Sequence, residues 1–385
     1  MAERGLHDPT AADGTTVDPG AWHIYRGTGR PRADAPLSEL LPPAPPWRRF
    51  PGGPLITTEA PPDEAEFTRR LGPPDAPVAR RASPQERDLV NAALFLRRPL
   101  IVAGPPGIGK SSLAHCISRE LGLGRVLRWS ITSRSTLKEG LYAYDAIGRV
   151  QEAAARGALR GTTPGAGSLP DSADPDPEEA KTPPPELDGL HNLGDYIQLG
   201  PLGTALLPRA VPRTLLIDEI DKADMDFVGD LLSVFEDGEY RIPELARVRS
   251  RLPDVEVHTD DPDGTAVIHH GWVRCAAFPV VVITSNGERS LSPAFLRRCL
   301  YLDLPAPDAD QLAAMLAAQL SHGDDEGRTT MIRDFLARSR AGGTLAADQL
   351  LNSEYLRTAP AGPGEHSWNE LLHALWRRLD EGETG

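Results

Sequence analysis

One stretch of the sequence is the strongest indication of the fold: Gly104-Pro105-Pro106-Gly107-Ile108-Gly109-Lys110-Ser111-Ser112. It fits the pattern G-x-x-x-x-G-K-[ST] and directly follows the apolar run Leu100-Ile101-Val102-Ala103. The glycines let the backbone curl so that successive N–H groups face one point. A helix that begins near Lys110 directs the positive end of its dipole at the same anion. We therefore expect a phosphate-binding loop that holds a nucleotide.

The choice of lysine in this loop supports the same prediction. Only four of the 41 basic residues are lysine, at positions 110, 138, 181 and 222, and all the others are arginine. A compact ammonium can reach between phosphate oxygens, whereas a planar guanidinium does so poorly. An arginine-rich chain that has lysine at position 110 therefore favours a nucleotide site.

Length and composition set the broad class. The 385 residues, 40% of them hydrophobic, leave room for two or three domains with a sizeable core. The sequence has no apolar stretch of about 20 residues and no apolar segment near its start, so we expect a cytoplasmic protein without membrane insertion. The three cysteines, Cys116, Cys275 and Cys299, lack metal-site spacing and are expected to be buried thiols. The net charge of −14 disfavours a broad nucleic-acid surface.

The pattern along the chain divides it into three parts. Residues 1–82 are rich in proline and glycine and are predicted to form an irregular arm. Residues 83–304 alternate helical and strand patterns, which indicates an α/β fold with a parallel sheet covered by helices. Residues 161–188 carry proline and acidic residues without periodicity, and we predict a disordered insertion there. Residues 305–385 show helical spacing and are predicted to form a small helical domain.

Polar residues follow two further apolar strands of the predicted sheet. Asp218-Glu219 comes after Thr214-Leu215-Leu216-Ile217, and Thr284-Ser285-Asn286 comes after Pro279-Val280-Val281-Val282-Ile283. Open α/β sheets bind ligands at this end of their strands. We expect Ser111 and Asp218 to bind Mg²⁺, and Glu219 to act as the general base toward water. The alternative for the acidic pair is a solvated helix start.

Together these motifs resemble those of an AAA+ ATPase. The loop, Leu216-Ile217-Asp218-Glu219, Thr284-Ser285-Asn286 and Pro293-Ala294-Phe295-Leu296-Arg297-Arg298 occur in the family's order, and the resemblance covers residues 83–355. It implies a P-loop NTPase sheet followed by a C-terminal helical lid. MoxR-type ATPases are the most similar group, because residues 140–202 resemble their insert in the second helix. Residues 240–273 resemble their hairpin before sensor 1.

The resemblance also implies roles for single residues. Asn286 would be sensor 1, which orients the attacking water. Arg298, with Arg297 as the second choice, would be the arginine finger that reaches the nucleotide of the next subunit. Activity would then need a homo-oligomeric ring, expected to be a hexamer. The alternative for Arg297 and Arg298 is a solvated helix end. The sequence departs from the family at residues 345–350, where the sensor 2 arginine is missing.

The function implied is Mg²⁺-dependent ATP hydrolysis that remodels a partner protein in a chaperone-like manner. A partner with a von Willebrand factor A domain is an expectation from the same resemblance. Two alternatives belong to other classes. One is a nucleic-acid motor that uses residues 240–275 as a wedge, although acidic residues outnumber arginines there. The other is a signalling switch or scaffold that hydrolyses ATP slowly.

Overall fold

The computed structural model describes residues 22–74, 82–161, 192–320, 325–340, 345–359 and 364–376. Its strands are β1 (Leu100–Ala103), β2 (Leu127–Ser130), β3 (Tyr142–Tyr144), β4 (Ile197–Leu199), β5 (Thr214–Asp218), β6 (Glu239–Arg241), β7 (Asp254–His258), β8 (Thr265–His269), β9 (Trp272–Arg274), β10 (Val280–Ser285) and β11 (Leu300–Asp303). The α-helices are α1 (Leu37–Leu40), α2 (Glu64–Leu71), α3 (Pro84–Leu96), α4 (Ser112–Leu121), α5 (Leu137–Leu141), α6 (Ala146–Gly161), α7 (Pro201–Ala205), α8 (Met225–Asp237), α9 (Pro243–Val248), α10 (Pro293–Leu296), α11 (Ala309–Gln319), α12 (Asp325–Arg340), α13 (Ala347–Thr358) and α14 (Glu365–Leu375).

Five parallel strands form a sheet in the order β11, β1, β10, β5 and β2. Every residue of β1 and β5 is buried, which is typical of strands covered by helices on both faces. The predicted α/β class is therefore confirmed. Strand β11 was not predicted, because it has only four residues and two of them are exposed.

The chain divides into two compact units, and the first contains residues 1–45, 64–122 and 298–385. Part of the predicted irregular arm docks here on α3 and α4. The buried Glu120 carboxylate of α4 accepts hydrogen bonds from the backbone N–H groups of Arg26, Thr28 and Gly29. The Asn91 side chain of α3 bonds the backbone of Ile24 and Tyr25. Buried polar side chains thus provide hydrogen-bond partners for the backbone of a segment that lacks regular secondary structure.

The C-terminal helices of the first unit share one apolar core. Its buried members include Leu316 of α11, Phe335 of α12, Leu350 of α13 and Trp376 just after α14. The indole N–H of Trp376 donates to Ser353 Oγ at 2.9 Å, so the one polar atom of this buried ring has a partner. This core explains the helical spacing seen in the sequence after residue 305.

The second unit contains residues 46–63 and 123–297, and it has a sheet that the sequence did not predict. Six strands pair in the order β3, β4, β7, β8, β9 and β6. The hairpin expected in residues 240–273 is present as β7 and β8, which pair antiparallel over five residues. Strands β3, β4, β6 and β9 have only three residues each, too few to show a period in the sequence.

Two sequence predictions fall outside these observations. Apart from Gly161, the last residue of α6, the predicted disordered insertion at residues 161–188 lies outside the described residues, which resume at Asn192. The first 21 residues of the predicted arm also lie outside them. Among the helices that are described, none has the length and hydropathy needed to cross a membrane.

Candidate functional site

The loop Gly104–Ser112 connects β1 to α4 within the first unit. Three of its residues have a positive φ angle, Gly104 at 146°, Gly107 at 74° and Gly109 at 86°. Side-chain-bearing residues rarely adopt this conformation, so the glycines are needed for the path of the backbone. A Cβ at Gly104 would also lie 2.5 Å from the carbonyl oxygen of Leu304.

Lys110 lies at the end of this loop and is buried. Its ammonium donates hydrogen bonds to the carbonyl oxygens of Gly104 (2.7 Å) and Pro105 (2.8 Å). The side chain therefore curls back over the loop that precedes it. An ammonium in this position is able to donate to phosphate oxygens held by the same loop.

A contact that the sequence did not predict joins this loop to the C-terminal helices. The backbone N–H of Ala347 donates to the Gly107 carbonyl at 3.2 Å. A Cβ added at Gly107 would lie 2.2 Å from the Cβ of Ala346. The loop and the start of α13 therefore touch through residues with little or no side chain.

The second unit holds Asp218 at the end of β5. The Asp218 side chain is about 10% exposed, and both carboxylate oxygens have partners. Oδ1 accepts the hydroxyl of Thr284 at 2.7 Å, and Oδ2 accepts Arg128 Nη2 at 2.8 Å. These two hydrogen bonds fix the plane of the carboxylate. Its lone pairs are suited to a hard cation, and Oδ2 would then be shared with Arg128.

Glu219 has an unusual backbone conformation for a residue with a side chain, with φ at 64° and ψ at 52°. Its N–H donates to Thr284 Oγ1 at 2.9 Å, and its carboxylate accepts Lys222 Nζ at 2.6 Å. Both side chains of this ion pair are 42% exposed, so water and ligands can reach the carboxylate. The pKa of Lys222 is raised, mainly by the hydrogen bond that it donates to Glu219.

Asn286 follows β10 and is held through its backbone by Asp221. The buried Asp221 carboxylate accepts the N–H groups of Asn286 and Glu288 through Oδ2, both at 3.0 Å. Its other oxygen, Oδ1, is buried and has no hydrogen-bond partner within the described part of the chain. Asp221 thus links the segment after β5 to the segment after β10, a role that the sequence analysis did not assign.

The predicted residues fall into two sets. Asp218, Glu219 and Asn286 belong to the second unit, where Thr284 and Asp221 link them. The loop with Lys110, Ser111 and Ser112 belongs to the first unit, as does Arg298. Arg297 belongs to the second unit, and both arginines are exposed. Arg128 could not be found from sequence because its partner lies 90 residues away.

The Asp218 carboxylate suits magnesium better than it suits a metal that needs several protein ligands. Across the described ranges, no three His, Cys, Asp or Glu side chains group to form a metal site. Mg²⁺ is usually bound by one or two carboxylates together with substrate phosphates and water. The buried Asp218 carboxylate is a donor of that kind.

These features define an α/β protein whose parallel sheet is compatible with a P-loop domain. No protein-family model matches the chain, and no curated protein sequence matches it either.

Proposed function

We propose that this protein is a cytoplasmic, Mg²⁺-dependent AAA+ ATPase of the MoxR type, which assembles into a hexameric ring and remodels a partner protein. The observation that carries the proposal is the loop after β1. Its sequence fits a nucleotide-binding motif, its three glycines have positive φ angles, and its lysine curls over the loop. Within the second unit, polar segments follow the carboxyl ends of β5 and β10, the end at which open α/β sheets bind ligands.

The residues divide the work of hydrolysis as follows. Backbone N–H groups of the loop and the Lys110 ammonium bind the phosphates of ATP. Ser111 and Asp218 would hold Mg²⁺, which would supply positive charge beside the phosphates. Glu219 accepts the proton of the attacking water, and Asn286 orients that water. Arg298 acts on the nucleotide of the neighbouring subunit, where its fork stabilises charge on the γ-phosphate.

The partner is proposed to be a protein, with a von Willebrand factor A domain as the expected type. The β7–β8 hairpin argues against the motor alternative. The exposed residues of β7 are Asp254, Glu256 and His258, which would repel a phosphate backbone more than attract it. A motor that used this hairpin as a wedge would need the opposite charge.

Nucleotide titration tests the binding half of the proposal. Lys110→Ala should weaken ATP binding at least about 100-fold, because the loop loses its ammonium. Lys138→Ala is the matched control, since this exposed lysine lies over the Tyr142 ring and should leave the affinity unchanged. Equal ATP affinity in the two variants would refute the assignment of the loop.

Turnover assays test the catalytic half. Glu219→Gln should keep MgATP bound and stop hydrolysis, because the amide keeps the shape of the side chain and cannot accept the proton. Glu236→Gln is the control, because this carboxylate of α8 is 47% exposed and lies outside the proposed site. Hydrolysis by Glu219→Gln at the wild-type rate would refute the assignment of the base.

The same assay distinguishes the alternative functions. Stimulation of wild-type ATP hydrolysis by single-stranded DNA would favour the nucleic-acid motor. A very slow rate of hydrolysis with a partner present would favour the signalling switch or scaffold.

A further inference from the structure

Thr284 is a buried residue near the end of β10, and one hydroxyl group of this side chain makes two hydrogen bonds. The hydroxyl donates to Asp218 Oδ1 at 2.7 Å and accepts from the backbone N–H of Glu219 at 2.9 Å. The side chain is 1% exposed, so water does not compete for either bond. A hydroxyl is the smallest side-chain group able to donate and accept at once.

The first bond fixes the residue proposed to hold Mg²⁺. Asp218 has Thr284 on one oxygen and Arg128 on the other, and these two donors come from β10 and β2 on either side of β5. Without the hydroxyl, Oδ1 would lose its 2.7 Å donor in a buried position. The carboxylate would then be held less firmly on the side that faces β10. Partners of metal-binding carboxylates affect metal affinity in this way.

The second bond fixes the residue proposed to be the base. Glu219 has a left-handed backbone conformation, which is unfavourable for any residue with a Cβ. The bond from its N–H to Thr284 helps to hold that conformation, and the conformation sets the direction of the Glu219 side chain. A more relaxed backbone at residue 219 would point the carboxylate elsewhere.

We propose that Thr284 is a positioning residue of the ATPase site, whose hydroxyl holds the Mg²⁺ ligand Asp218 and the base Glu219 in register with each other. This inference rests on the proposed function. The hydroxyl is the required group, and the methyl group serves to restrict its rotamers. Serine should therefore substitute for threonine, whereas valine, which has nearly the same shape, should not.

The chain offers a matched control on the neighbouring strand. Thr214 of β5 is also completely buried, but its Oγ1 has no hydrogen-bond partner among the described residues. Thr214→Val makes the same chemical change in the same sheet at a hydroxyl that holds nothing. It should leave turnover unchanged and leave the melting temperature equal or slightly higher.

The experiment compares Thr284→Val, Thr284→Ser and Thr214→Val with the wild type. Thr284→Val should lower kcat about 10- to 100-fold and raise the Mg²⁺ concentration for half-maximal binding of a non-hydrolysable ATP analogue by a similar factor. Analogue binding without Mg²⁺ should not change, because the loop is untouched. Hydrogen exchange at the Glu219 amide should become faster. Thr284→Ser should stay within about 3-fold of wild type in each measurement.

Each outcome has a defined meaning. If Thr284→Val matches Thr214→Val in kcat and Mg²⁺ dependence, or only its melting temperature falls, Thr284 is structural and the inference is wrong. If Thr284→Val does not fold, Thr284→Ser is compared with Thr284→Ala instead. These two variants differ only in the hydroxyl, so the same differences in kcat and Mg²⁺ dependence are expected between them. If the wild-type protein neither binds nor hydrolyses MgATP, the proposed function fails, and this inference fails with it.

Discussion

The buried ion pair between Arg213 and Asp261 should control the stability of the second unit. Arg213 lies just before β5, and Asp261 lies in the turn between β7 and β8. The guanidinium donates to both carboxylate oxygens, at 2.6 and 2.8 Å, and the two side chains are 1% and 6% exposed. Arg213 also donates to the Arg125 carbonyl at 3.1 Å. We expect each single substitution to leave the other charge buried without its main partner.

The magnitudes follow from what remains around each charge. Removal of one member of a buried pair typically costs about 3–5 kcal/mol of unfolding free energy. Arg213→Met should lower the unfolding free energy by about 3 kcal/mol, because Asp261 still has an ion pair with Arg125 at 3.7 Å. Asp261→Asn should lower the unfolding free energy by about 5 kcal/mol, because the buried Arg213 guanidinium would then have only neutral acceptors. The double variant should cost about 2 kcal/mol, less than either single one, because no charge stays buried.

Hydrogen–deuterium exchange of the β8 amides is the suitable assay, because amide exchange reports the free energy of local opening. A loss of about 3 kcal/mol corresponds to exchange more than 100-fold faster. The control is Glu239→Gln, which breaks the half-exposed pair between Glu239 and Arg274 in the same sheet and should cost less than about 1 kcal/mol. The reasoning is refuted if the single variants behave like this control, or if the double variant costs as much as both single variants together.

Three further predictions concern the loop, the ring and a buried thiol. Gly107→Ala should lower the melting temperature more than Gly109→Ala. Both positions have positive φ angles, but an added Cβ at Gly107 would lie 2.2 Å from the Ala346 Cβ, whereas one at Gly109 would have no neighbour closer than 3.9 Å. Equal losses in melting temperature would show that backbone strain alone matters. The Arg298→Ala variant should bind ATP but not hydrolyse it. Mixing it with the Glu219→Gln variant should restore some turnover, because an interface can then combine Glu219 of the first variant with Arg298 of the second. If mixed rings, confirmed by mass, have no activity, Arg298 does not act at the neighbouring subunit's site. Burial raises the pKa of the Cys275 thiol to about 12, so iodoacetamide at pH 8 should label it only after unfolding. Its contribution to stability should be complete below the unfolded-state pKa of 9.0 and disappear as pH rises toward 12; labelling of the folded protein would contradict this.

Local signals were sufficient for the main elements of the fold. The strand predicted at residues 100–103 was confirmed without change. The sequence Ser83-Pro84-Gln85-Glu86 has the residue types of a helix start, and α3 begins there at Pro84 with the Ser83 hydroxyl accepting the Glu86 N–H at 3.1 Å. The helix predicted from Lys110 begins two residues later, at Ser112. Capping and burial act over a few neighbouring residues, so they leave a readable pattern in the sequence.

The second sheet and β11 escaped prediction for a different reason. Short strands such as β3 and β6 are held by partners far away in the chain, and nothing in three residues specifies such a partner. The same holds for the arm, whose proline-rich sequence predicted irregular structure but not the buried Glu120 carboxylate that holds its backbone.

For the candidate site, the sequence by itself determined which groups are proposed to carry the chemistry. The glycines, Lys110, Asp218, Glu219 and Asn286 are specified by local motifs, because a phosphate loop or a strand end uses residues that are adjacent in the chain. Only the tertiary structure decided how those groups are held. Thr284 and Arg128 reach Asp218 across 66 and 90 residues. Such contacts exist only after the strands pair, because hydrogen bonds depend on distance and angle in space and leave no spacing in the sequence.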